Sequence, residues 1–176
     1  TITINGKVGA TTFSNLSIDA FISGFNHNSA KEGTGRIHFL IGKKSGKMVG
    51  LTDSSYGSQT TTSGAFTMNT SNTNSGGWAS CHMRKTVLGA DSSPSSPTAN
   101  TLLAALPADL RAVMKSVTKY TDNTGNASNT AAAVTATTDY LWLLAEFEIQ
   151  GARSYANQYE QNSQAQYDYF KAGNSK

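Results

Sequence analysis

The run from Thr138 to Gly151, Thr-Asp-Tyr-Leu-Trp-Leu-Leu-Ala-Glu-Phe-Glu-Ile-Gln-Gly, constrains the fold of this chain more than any other stretch. It is the most apolar segment in a sequence otherwise dominated by Ser, Thr, Asn and Gly, so the core has to be gathered around it. Five consecutive large apolar residues, Tyr140 to Leu144, suit a strand covered on both faces better than one alternating between core and water. The sequence therefore predicts a buried strand that starts at Asp139 and runs into a short turn or helix ending at Gly151. Full burial of side chains such as Trp142 and Leu143 contributes about 1.5 to 3 kcal/mol each, enough for this run to anchor a small core.

A chain of 176 residues supports one domain with a real core. With 38% hydrophobic and 14% charged residues, the profile is that of a loop-rich extracellular or virion protein rather than a cytosolic enzyme. The net charge is only +3, and the tightest basic cluster, Lys43, Lys44 and Lys47, falls in a turn. That is a solvated hairpin tip, so no nucleic-acid partner is expected. The single cysteine, Cys81, excludes an internal disulfide framework and a Cys-based metal cluster. No apolar stretch reaches 18 residues, so no membrane insertion through a helix is expected. Thr1 in place of Met, with no charged-then-apolar leader, points to a fragment or a processed product.

Along the chain, Thr1 to Gly6 alternates polar and apolar residues and closes on Asn5-Gly6, which predicts a strand with a hairpin turn there. Phe13 to Phe25 fits helical and extended templates alike, with the balance towards a strand. Arg36 to Ile41 and Met48 to Thr52 flank a Gly- and Lys-rich loop and read as an antiparallel hairpin. From Asp53 to Gly77 the chain is a long polar loop, pinned to the core by Tyr56, Phe66 and Met68. Gly76 and Gly77 free the backbone before Trp78, after which Trp78, Met83 and Val87 form one face of a short helix. Ser92 to Thr101 is a surface loop.

Asn100 to Lys119 carries leucines, valines and a methionine at spacings of three and four, and Pro107 opens the second of two helices there. Lys115 and Lys119 then suit the dipole at the helix end. Thr121 to Thr137 reads as a loop with a strand at Ala133 to Ala136. After Gly151 come Tyr155, Tyr159, Tyr167 and Tyr169. Their rings either bind sugars or protein surfaces, or cover the core beside Trp142; the sequence leaves both open.

Catalytic and metal signatures are sparse. His27, His38 and His82 are scattered, without the spacing that holds zinc, and no metal is expected. Calcium held by loop Asp and Asn oxygens stays open without an EF-hand spacing to support it. Cys81 and His82 are neighbours in the chain, whereas catalytic pairs meet through the fold. On a strand, Glu146 and Glu148 would share a face as paired carboxylates; Glu146 could equally be a buried partner of Arg84 or Arg153. Gly33-Thr34-Gly35-Arg36 lacks the rest of a phosphate-binding pattern.

Four stretches taken together carry a resemblance. They are the segment 68–78 ending in Gly-Gly-Trp with Met83-Arg84 after it, Ala105 to Leu110, Thr138 to Glu148, and Tyr167 to Asn174. In this order they resemble the DUF6273 family of gut Firmicutes and their phages, over about the whole chain. The resemblance implies an α+β, C-type-lectin-like mixed domain with long loops, related to receptor-binding proteins varied by diversity-generating retroelements. Members usually continue past the equivalent of Lys176 with a tandem-tryptophan segment and a closing strand, so a domain incomplete at its C-terminus is expected.

On that basis residues 1–52 form a β-rich N-terminal segment and 53–176 the scaffold part, or the two run on as one continuous domain. Trp78, Arg84, Trp142 and Glu146 are expected to be structural. No catalytic residue or cofactor carries over. The expectation is a non-enzymatic recognition module on a phage tail or bacterial cell surface. Its partners would be a receptor or glycan, other virion or surface proteins and further copies of itself in a homo-oligomer. A virion structural protein without receptor binding is the alternative, and an extracellular enzyme the third.

Overall fold

The computed structural model describes residues 1–9, 11–51, 68–125 and 129–173. It is a mixed α+β structure of small antiparallel sheets and short helices. Strands β1 (Ile2–Val8), β2 (Thr11–Phe25), β3 (Ile37–Lys44) and β4 (Lys47–Met48) form one four-stranded sheet in that order. Strands β5 (Val117–Asp122) and β6 (Val134–Asp139) form a two-stranded ladder. The short helices are α1 (Ser29–Glu32), α2 (Gly77–Ser80), α3 (Leu102–Ala105), α4 (Ala108–Val113), α5 (Glu146–Gln150), α6 (Gln158–Gln161) and α7 (Asp168–Lys171).

Several expectations hold. Phe13 to Phe25 is extended, and its ambiguous periodicity has a local cause. Register shifts against Ile4/Gly6 of β1 and near Ile22/Gly24 each reset which face the next residue takes. The lysine hairpin is present but tighter than expected, since β3 and β4 meet across Ser45 and Gly46, both at positive φ. Pro107 sits at the start of α4 and separates it from α3, as its missing N–H requires.

Other expectations are corrected. Asn5-Gly6 is not a hairpin turn: β1 continues to Val8, and the two residues mark a bulge where Gly6 takes φ 116° and Asn5 Oδ1 accepts the Asn15 N–H. Of the pair only Gly6 takes a positive φ, and it does so in a bulge, not a turn. Lys119 does not end a helix; it lies in β5, buried. Trp78 and Met83 are on separate elements, α2 and a π-helical turn at Met83–Leu88. Met68 is exposed, while Tyr56 and Phe66 lie outside the described residues.

The central apolar run departs most from expectation. The predicted strand was to start at Asp139, but a strand ends there instead, because the Tyr140 N–H leaves the ladder to bond the Ala90 carbonyl, 2.7 Å away. Residues 140–145 are irregular, and Glu146 to Gln150 is helical, closed by Gly151 at φ 69°. Leu143 is exposed and Tyr140, Leu141, Trp142 and Leu144 are half-buried. The buried core lies elsewhere. Ile4, Val8 and Ile18 of the first sheet pack with Met83, Val87, Leu88, Leu102, Leu103 and Leu106 in one cluster.

Candidate functional site

Two features stand out: a buried cluster of ionisable side chains, and an apolar groove that reaches it. The cluster is assembled from distant parts of the chain. His27 follows β2, Glu32 ends α1, His38 is on β3, Lys119 on β5, Glu148 on α5, and Tyr167 precedes α7. All six are buried. The Lys119 ammonium donates to Glu32 Oε1 at 2.8 Å and also to Glu148 Oε1. Glu148 Oε2 accepts the Ala145 N–H at the start of α5. His27 stacks on Tyr167 with centroids 3.6 Å apart, and the Tyr167 hydroxyl lies 2.9 Å from His38 Nδ1. Lys119 Nζ is 5.1 Å from the Trp142 ring centroid, within cation–π range.

The electrostatics are those of charges taken out of water. Burial, reinforced by Lys119, pushes His27 down to about 3 and His38 down to about 4, so both imidazoles are neutral at physiological pH. Burial raises Glu32 to about 7 despite the adjacent ammonium, so near neutrality it shares a proton with solvent. Burial also raises the Tyr167 hydroxyl, which stays protonated. Three atoms here, His27 Nε2, Glu32 Oε2 and His38 Nε2, have no hydrogen-bond partner among the described residues.

His27, Glu32 and Glu148 each offer a ligand atom within 4.8 Å of one another, the spacing a metal ion would need. The positive charge between the two carboxylates is supplied by Lys119, which bonds both.

A second buried network sits at the end of β6. Arg84 Nε donates to Asp139 Oδ1 at 2.6 Å, while Trp78 Nε1 and Thr137 Oγ1 donate to Asp139 Oδ2. The remaining guanidinium nitrogens reach the Ala79 and Thr138 carbonyls and Asp91. Gly77 makes this approach possible: at φ 50° it packs on the Asp122 carbonyl, where a Cβ would collide.

The groove has a volume of about 970 Å³. Residues 37–42 of β3, Val113, Met114 and residues 140–144 line it, and His38, Trp142 and Tyr167 belong both to it and to the cluster. Ile37 and Phe39, each 51% exposed, show how much apolar β-surface is left uncovered among the described residues.

The expected site residues are distributed as follows. Trp78 and Arg84 meet at Asp139, and Trp142 packs edge-on against His38. Glu146 does not pair with Arg84. It is half-buried and accepts the Ser154, Tyr155 and Ala156 N–H groups, which, Tyr155 first, lower its pKa. Glu146 and Glu148 therefore do not form a carboxylate pair on a strand; α5 turns only Glu148 into the cluster.

Tyr155 is 98% exposed, Tyr159 half-buried, Tyr167 buried in the cluster, and Tyr169 half-buried with its ring edge-on to Phe170. His82 is half-buried and absent from the cluster, and Cys81 is buried, with its thiol pKa raised by burial. Sequence reasoning missed Glu32 and Lys119. The available signal was Lys119 two residues after Val117, a charge on the inward face of a strand. No protein-family model matches the chain, and no curated protein or solved structure matches it either.

Proposed function

We propose that the chain is a non-enzymatic recognition module whose binding surface is the apolar groove beside β3. The observation that carries this reading is the groove itself. A concave apolar trough of about 970 Å³, lined by a few polar groups including Arg36, His38, Lys115 and Tyr167, has the form of a binding site. The non-enzymatic part rests on the cluster's chemistry. Glu32 and Glu148 both bond Lys119, and Glu148 also accepts the Ala145 N–H, so the two carboxylates are engaged in holding distant parts of the chain together.

The setting we propose is a phage tail or bacterial surface, on a C-type-lectin-like scaffold of the DUF6273 kind, where the module contacts a bacterial receptor or glycan. The test is adhesion of the purified chain to intact bacterial cells. Wild type should adhere, and Phe39→Asp should not while keeping its unfolding midpoint. Failure to bind any cell surface or glycan, together with assembly with virion proteins, would replace this reading with a purely structural one.

A further inference from the structure

We infer that the groove takes an extended apolar peptide strand with acidic flanks, which pairs with the open edge of β3; this rests on the recognition reading above. Strand β3 is bonded along its length to β2, but on its other side β4 pairs only with Lys43 and Lys44. Among the described residues no strand pairs with that edge from Ile37 to Ile41. An edge of this kind presents unpaired N–H and C=O groups in register for one more strand. The apolar side of the same stretch continues across the sheet, where Ile22 pairs with Phe39 and Phe25 with Ile37, all four exposed. A strand of about six residues, at about 3.3 Å each, spans the open edge.

Charge selects the occupant. Among the described residues no Asp or Glu lines the groove, whereas Arg36 and Lys115 do, and Lys43 and Lys44 continue β3 past Gly42, with Lys47 paired to Lys44. Lys115 Nζ bonds the Gly35 carbonyl and Arg36 Nε bonds the Ser116 carbonyl, which sets both cations at one mouth. Two copies pairing β3 to β3 in antiparallel fashion would bring Arg36 of one against Lys43 and Lys44 of the other. Like charges facing across a ladder repel, so a second copy is disfavoured, while Asp or Glu at both ends of a foreign strand complements the groove.

The test uses the whole chain and a fluorescein-labelled synthetic peptide, Glu-Val-Thr-Val-Thr-Val-Glu, followed by anisotropy. Binding is expected, weaker by about tenfold when Lys replaces both Glu residues and lost when Pro replaces the central Val, since Pro cannot complete the ladder. The Phe39→Asp variant, checked for an unchanged unfolding midpoint, should also lose binding. Absence of binding overturns the inference, as does equal binding of the Pro peptide or dimerisation of the chain through β3. Cell adhesion without peptide binding would remove this inference and leave the recognition reading standing; loss of adhesion as well would remove both.

Discussion

Both buried ionic networks hang from the β5–β6 ladder, Asp139 from one strand and Lys119 from the other, yet they are built on opposite principles. At Asp139 both carboxylate oxygens are bonded, and Arg84 donates to a carboxylate, a second acid and two carbonyls. Around Lys119, one ammonium serves two carboxylates while His27 Nε2, Glu32 Oε2 and His38 Nε2 have no hydrogen-bond partner among the described residues. A satisfied network is held by the bonds themselves, each oxygen of its carboxylate having a donor. An under-satisfied one stores its cost in protonation states, and its stability must vary with pH.

The largest expected effects come from removing the two cations. Arg84→Met leaves Asp139 buried without its cation and should cost about 3 to 5 kcal/mol in urea unfolding, and because Trp78 and Thr137 still donate to its Oδ2, that cost should change less between pH 5 and 8 than the one at Lys119. Lys119→Met should cost a similar amount at pH 8 and clearly less at pH 5, because Glu32, raised to about 7, takes a proton there. Equal pH profiles for the two variants would erase the distinction.

Next in size is the acid response of the native chain. His27 and His38 are depressed from 6.5 to about 3 and about 4, so unfolding takes up protons below pH 6.5, and the stability they lend above that pH is lost on acidification. Glu32 acts in the opposite sense: its contribution is full below about 4.5 and is lost as pH rises through about 7. Between pH 4.5 and 6.5 the two histidines outweigh Glu32, so the cluster's contribution to stability should slope downwards on acidification. Replacing both, His27→Gln with His38→Gln, should reverse that slope. The smallest effect is expected at the rim of the satisfied network. Asp91 is partly exposed, so Asp91→Asn should cost under about 1 kcal/mol in the same assay.

The sequence revealed these two regions unequally. Trp78, Arg84 and Asp139 all fall within stretches that stand out locally, a Gly-Gly-Trp turn, a Met-Arg pair and the start of the apolar run. Their partnership still needed coordinates, and Glu146 was the wrong acid for Arg84. His27, Glu32, His38 and Lys119 share no motif, because their meeting depends on β2, β3 and β5 arriving at one point. The leucine-rich helices broken at Pro107 were readable from spacing alone. The run Tyr140 to Leu144 was not: a continuous apolar stretch fits a doubly covered strand and a groove wall equally, and only the bond from Tyr140 to Ala90 decides between them.

The most direct measurement is residue-resolved amide hydrogen exchange along β3 in the free protein. If its outer edge is open, amides from Ile37 to Ile41 should alternate, slow where they bond β2 and fast where they face the groove. Uniformly slow exchange along this stretch would mean the edge is already paired, and no foreign strand could add to it.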